Sequence, residues 1–336
     1  MPRLTRASAI PSGAANSRVT ARETWAHEPQ ARSQWIDTWH RLTRRGTARL
    51  ALLVIALIAC SALFADQIAP TSFTLQNPNR AYEIPSAEHW FGTDQLGRDV
   101  LSRLLHGARI SLGVGVVTQI IILTIGVPIG AIAGYFGGRV DHLLMRFVDV
   151  MYSFPDLLII IIVMASLRSA FRDPRAGGLL GLLAGVDGAF GGLLGVFIAL
   201  ALVSWLTVAR LVRGQILTLR ERDFIQSARA SGASHLEIMT RHLVPNTMGV
   251  IVVAATFGIP RAIIVEAALS FIGLGVQAPM ASWGVMLLEG YKALRAAPHL
   301  IIFPALALSA TVLAYNFLGD CLRDALDPWA ADGRER

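Results

Sequence analysis

Six stretches of this 336-residue chain are apolar for about 20 residues or more: 50–69, 108–134, 142–167, 190–212, 247–272 and 298–320. A helix rises ~1.5 Å per residue, so about 20 apolar residues cross the ~30 Å hydrocarbon core of a bilayer. The pattern predicts an all-α integral membrane protein with six transmembrane helices. The second stretch is long enough to tilt or to begin with an interfacial turn. The start of the fourth has no clear boundary, because 177–195 is rich in Gly and Leu and reads equally as a re-entrant or interfacial piece. Composition agrees: 54% of residues are hydrophobic and 16% charged, where soluble domains run near about 25% charged.

The formal net charge is +7, carried almost wholly by arginine; Lys292 is the only lysine. The cations border the apolar runs rather than cluster on a polar domain, which points to membrane topology and away from nucleic acid. With the N-terminus inside, the inner segments hold 20 of the 30 Lys and Arg and the outer segments 8. That excess predicts cytoplasmic N- and C-termini. No secretory signal peptide is expected, since the first apolar run begins near Leu50 and is too long for one. Residues 1–40 lack periodicity and read as a disordered arm. Trp35, Trp39 and the run Arg41, Arg44, Arg45, Arg49 suit either a segment on the membrane surface or a plain stop signal for the first span. Cys60 and Cys321 lie on different segments with no metal spacing, and read as small apolar residues.

The longest inner loop, 213–246, is too polar to insert and too patterned for a linker. Phe224, Ile225, Ala228 and the pair Ser231–Gly232 follow helical spacing. Gly232 then interrupts the helix. Ser234 with Glu237 three residues on makes a capping box that starts a second helix, and Pro245 ends that helix before the fifth span. The expectation is a helix–turn–helix across the inner face of the membrane, open to a cytoplasmic partner.

Those residues resemble a known family. Ser227-Ala228-Arg229-Ala230-Ser231-Gly232-Ala233-Ser234, continuing to Arg241-His242-Leu243-Val244-Pro245-Asn246, is similar to the loop signature of ABC-importer permeases. Gln226 stands where the family has Glu, His242 where it has Ile and Val244 where it has Leu, while the Gly and Pro keep register. His89-Trp90-Phe91-Gly92-Thr93-Asp94-Gln95-Leu96-Gly97-Arg98-Asp99-Val100-Leu101-Ser102-Arg103 resembles the outside loop of the second, C-type permease of dipeptide, oligopeptide and nickel systems. Glu266 to Gly275 with Pro279 and Ser282-Trp283-Gly284, and Arg323-Asp324-Ala325-Leu326-Asp327-Pro328, are similar to that group's fifth-span end and C-terminal close. Together these cover most of 45–330.

The resemblance implies a type I ABC-importer permease fold. Residues 1–49 would form a partly disordered cytoplasmic arm, and 50–107 the first span and an extracytoplasmic loop. Residues 108–320 would form the transmembrane core with its coupling loop, and 321–336 a cytoplasmic tail. It also implies a multi-pass protein of the inner membrane that carries half the path for di- or oligopeptides. Its partners would be a second homologous permease, P-loop ATPase subunits and an extracytoplasmic solute-binding protein. The same machine importing nickel, glutathione or another small solute is an alternative, and an ATP-independent channel or secondary transporter is a second one.

The chain holds no P-loop of its own, since such a loop needs Gly-Lys-Ser/Thr and Lys292 sits in Glu289-Gly290-Tyr291-Lys292. ATP and Mg would therefore belong to partner subunits, with no cofactor, metal or catalytic residue here. His235, Glu237 and His242 lack the spacing of a zinc peptidase. Phe224, Ile225, Gln226, Ala228, Ser231, Gly232, Ala233 and Pro245 are the candidate ATPase-docking residues. Asp149, Tyr152 and Asp156 sit at i, i+3 and i+7 of the third span, hence on one stripe, as a wall of the path or a polar face packed on a neighbour; Pro155 in the same stretch could kink it. Tyr152, Asp156, Arg261 and Glu266 are the candidate path residues. Arg261 could attract a peptide carboxylate or pair with the partner permease.

Overall fold

The computed structural model describes residues 34–173 and 177–326. Residues 1–33, most of the expected arm, and Asp327–Pro328 of the C-terminal motif lie outside them. Among the described residues the regular structure is helical, apart from an isolated bridge between Thr93 and Asp99, with irregular segments over 69–99 and 272–282. In chain order the helices are α1 (Gln34–Arg44), α2 (Gly46–Leu63), α3 (Ala65–Ile68), α4 (Val100–Phe136), α5 (Gly138–Tyr152), α6 (Asp156–Phe171) and α7 (Gly178–Ala189). They continue with α8 (Leu193–Leu219), α9 (Asp223–Ala230), α10 (His235–Glu237), α11 (Val244–Phe271), α12 (Trp283–Lys292) and α13 (His299–Leu326). Five helical runs are long and apolar enough to cross a membrane, and a sixth if a bent pair counts as one span.

Helices α4 and α8 form the central pair. Gly126, Gly130 and Gly134 recur every four residues along α4 and lie on the backbone of α8. A Cβ at Gly126 would meet the Trp205 carbonyl at 2.9 Å, one at Gly134 the Arg213 carbonyl at 2.9 Å, and one at Gly130 would stand closer still to Ala209. Small residues at this spacing let membrane helices touch backbone to backbone. Around the pair the core is stacked in layers. Ile122, Trp205, Val212 and Ile216 pack with Ile225 and Leu243 at one end. Val114, Ile160, Leu200 and Leu269 fill a second layer, and Val100, Ile263, Trp283 and Leu300 the opposite end. Leu50, Leu53 and Leu57 of α2 point outward, as lipid-facing positions do.

Several expectations need correction. The third stretch is not a straight span: α5 and α6 meet at 84° across Ser153–Pro155. Pro155 lacks an N–H to continue the ladder and pushes Phe154 out of helical geometry. Asp149, Tyr152 and Asp156 therefore share no stripe. The Gly-rich stretch becomes a separate helix, α7, whose 12 residues are too few to span. The fourth span begins at Leu193, after Gly191 and Gly192 turn the chain at φ 62° and 85°, and runs on to Leu219. Gln34–Arg44 is a helix rather than part of a disordered arm, and Leu42 packs with Ala48 against Cys321 and Ala325 of α13. Pro245 ends nothing. It lies at the start of α11, directly after the π-wound turn Ile238–Leu243, and the helical run passes through it. From His235 through the π-wound residues Ile238–Leu243 to Phe271 the chain is one 37-residue helical run.

Candidate functional site

Two features bear on function: the loop between α8 and α11, and a cavity beside α11. In the loop, α9 closes at Gly232, whose φ of 84° only glycine takes at no steric cost. Nothing stands within 4 Å of where its Cβ would be. Ser234 then caps the next helix, its hydroxyl accepting the Glu237 N–H at 3.2 Å. The Glu237 carboxylate instead accepts from Arg241 at 2.5 Å.

The sequence-predicted docking residues divide into two sets. Ile225 is fully buried and Ala228 and Ala233 pack beside it against the core. Phe224, Gln226, Ser231, Gly232 and Pro245 are exposed. Leu236, 66% exposed, joins the outward set and went unremarked in the sequence, where nothing local separates it from Ile238 and Leu243, which turn inward. The inward set fixes the loop and the outward set is what a partner could touch.

The loop is tied to α4. The Tyr135 hydroxyl and His235 Nδ1 lie 2.7 Å apart, Arg229 stands over the Tyr135 ring at 5.4 Å, and Arg220 donates to the Gly134 carbonyl at 3.0 Å. Arg213 of α8 forks onto Asp141 of α5, one arm at 2.6 Å. These contacts surround the end of the bundle that carries the loop.

A cavity of about 780 Å³ begins at that same end, beside Gln215, Pro245, Asn246 and Arg323, and runs between α4, α8 and α11 to Arg261 and Val265. Asn246 and Arg261 are fifteen residues apart on one helix, or ~22 Å. Val250, Val253 and Phe257 supply apolar wall, while Gln119, Ser204 and Thr207 supply polar groups.

The candidate path residues distribute unevenly around this space. Arg261 lines it and donates to Asp156 at 2.7 Å. That pair lies within the chain, so Arg261 finds a partner without a second permease. Tyr152 stands behind the wall, its hydroxyl 2.7 Å from that of Thr207, with Arg210 over its ring at 4.0 Å. Arg210 also donates to Asp149 at 2.6 Å. Glu266 does not reach the cavity. It is fully buried, accepting from Ser270 at 2.6 Å and Ser282 at 2.8 Å. There it fastens the start of α12 to α11, while Trp283 donates its indole N–H to the Leu104 carbonyl of α4.

At the opposite end, the His89–Arg103 segment folds into a charged clasp. Asp94 accepts from Arg98 at 2.6 Å and from Arg103, and both guanidiniums also reach Glu289 of α12, at 3.1 and 2.6 Å. Burial alone would push the Asp94 carboxyl up, but Arg103, Arg98 and two backbone N–H groups outweigh it and hold it below the usual carboxylate range. Asp99 caps α4, accepting from Ser102 N at 2.7 Å. Among the described residues no group of three or more His, Cys, Asp and Glu could hold a metal.

Comparison with known proteins gives concordant matches. The family described as binding-protein-dependent transport system inner membrane component matches residues 126–332. The N-terminal TM domain of oligopeptide transport permease C matches residues 33–85. The chain is 40% identical over 293 residues to the dipeptide transport system permease protein DppC of Bacillus subtilis (strain 168), covering 87% of this chain and 85% of that one. It is 39% identical to the oligopeptide transport system permease protein OppC of the same organism, covering 88% and 90%. It is 44% identical to the glutathione transport system permease protein GsiD of Escherichia coli O157:H7, covering 89% and 92%. Among solved structures, an inward facing conformation of the MetNI methionine ABC transporter matches at a TM-score of 0.49 and 19% identity, over 67% of this chain and 96% of that one.

Proposed function

The chain belongs to the binding-protein-dependent transport system inner membrane components, the permeases of ABC importers, and is a multi-pass transport subunit rather than an enzyme; on that footing we propose that it forms half of an ATP-driven path for small peptides. The loop around Gly232 docks a P-loop ATPase, the cavity beside α11 is this subunit's share of the path, and both termini face the cytoplasm. A second permease completes the wall and an extracytoplasmic binding protein delivers the cargo. ATP and Mg stay on the ATPase subunits. The architecture suits the type I importer permeases.

One observation carries this: the exposed loop and the cavity wall share a helical run. His235 and Leu236 begin it and Arg261 lies on it, with no break at Pro245. A push at the loop therefore reaches the cavity through a helix rather than a flexible joint. The Tyr135–His235 contact carries the same displacement to α4, the opposite wall. The names of the relatives specify dipeptides, oligopeptides and glutathione, which share a peptide-like backbone and a free carboxylate; this supports a peptide-class cargo here.

The test is co-purification. Isolated from native membranes, the chain should come down with a subunit bearing a P-loop, whose ATP turnover rises when a loaded binding protein is added. A chain that purifies without an ATPase and still moves solute in liposomes would overturn the proposal in favour of a channel or secondary transporter.

A further inference from the structure

The charge of the cavity wall is one-sided. Among the described residues its lining includes two charged residues, Arg261 and Arg323, and no acidic one. Arg323 sits at the mouth with its guanidinium 5.2 Å from the centre of the Phe257 ring. Arg261 lies at the inner end and its side chain is 55% exposed. Its Nη2 donates to Asp156. A guanidinium has five N–H donors, and the rest of Arg261's find no acceptor among the described residues.

A second donor waits beside it. Gln119 of α4 lines the same cavity and is 3% exposed; its Nε2 is enclosed and has no acceptor among the described residues, and a half-turn of the amide brings that donor to the cavity side. Gly258 makes room for that amide: a Cβ there would stand 2.5 Å from Gln119 Cδ. Gly258 precedes Arg261 by three residues, so the two share a helix face. An enclosed donor without an acceptor is costly until a ligand supplies one, and a carboxylate supplies acceptors for both an amide and a guanidinium fork.

We propose that Arg261 and Gln119 form a carboxylate-binding station in the wall of the path, taking the terminal carboxylate of a peptide or a similar anionic solute and repelling bare divalent cations. This rests on the importer reading above and adds that the permease itself reads the sign of its cargo's charge. Asp156 tempers the station, since it holds one arm of Arg261 and offsets part of its charge.

The wall's charge can be read without knowing the cargo. In membranes carrying the complete importer, with Cys60→Ser and Cys321→Ala as background, Ser204→Cys places a thiol in the cavity. The anionic sulfonatoethyl and cationic trimethylammonioethyl methanethiosulfonates are then compared by their rates of reaction. Arg261→Gln should lower the anion-to-cation rate ratio by about threefold or more and Asp156→Asn should raise it, as Coulomb interactions in a low-dielectric cavity require. A ratio indifferent to both substitutions overturns the proposal.

Uptake tests the ligand class. A dipeptide with a free C-terminus and the same dipeptide as its C-terminal amide are supplied in parallel, and ATP turnover is recorded with loaded binding protein. Arg261→Gln should cut uptake of the acid relative to the amide about tenfold, the value of one charged hydrogen bond. Arg261→Lys should restore part of the preference. Equal loss of acid and amide, or loss of neither, overturns the station and leaves the importer reading standing. A wild-type importer that takes up no solute with ATP overturns both.

Discussion

At Gly232 two demands meet on one residue: a backbone angle that a side chain resists, and open space in which no described residue stands. They can be separated. Alanine would strain the turn by about 1–2 kcal/mol, whereas Asp tolerates the left-handed region better and puts a charge where the proposed ATPase partner would approach. Gly232→Asp should therefore leave the chain inserted at normal abundance and abolish uptake, as immunoblots of membranes and transport assays would read. Asp94 is the contrasting case, a residue held by its own chain. Asp94→Ala would leave Arg98 and Arg103 side by side and buried, a loss of about 3–5 kcal/mol, visible as faster amide exchange across 77–99. Because the Asp94 carboxyl is held below its ordinary value, its contribution is fully present above the unfolded value of about 3.9 and is lost only as pH falls through the lower folded value. Protection of that loop should stay flat from neutral to mildly acidic pH. The sequence revealed Gly232 and the Ser234 cap because both are local signals. It misplaced Glu266, because whether a carboxylate meets a cavity or a pair of serines depends on Ser282, sixteen residues away.

At the level of elements, length and hydropathy located the spans, since crossing a bilayer is a one-dimensional requirement. They did not show the 84° bend at Ser153–Pro155, because both arms of the bend are apolar enough to be counted as one run. Pro245 misled for a different reason: a proline breaks a regular helix interior, but the wider π-wound turn Ile238–Leu243 before it lets the run continue. The glycine triad at 126, 130 and 134 is a small-residue repeat that went unremarked in the sequence, and its partner helix shows only in the fold. Gly130→Leu should force α4 from α8 and cost about 1–3 kcal/mol or more, read as a lower melting temperature in detergent. The same change at Gly113, where nothing lies within 4 Å of a Cβ, should cost far less.

For the whole molecule, the sequence supplied a candidate docking loop and a list of polar intramembrane residues, and the fold decided how they relate. Arg261 was one cation among several in the sequence; in the fold it stands at the inner end of a cavity whose mouth adjoins the loop. That relation depends on α4, α8 and α11 meeting, which spacing within any one segment cannot show. The family matches fix the kind of machine, and the continuous run from His235 to Phe271 supplies a physical link between its loop and its path. The measurement that bears most directly on that link is solute uptake into proteoliposomes holding the complete importer, with and without internal ATP and with wild-type or Gly232→Asp chain. The account predicts uptake only with ATP and only with the wild-type chain. ATP-independent uptake, or uptake unchanged by Gly232→Asp, would contradict it.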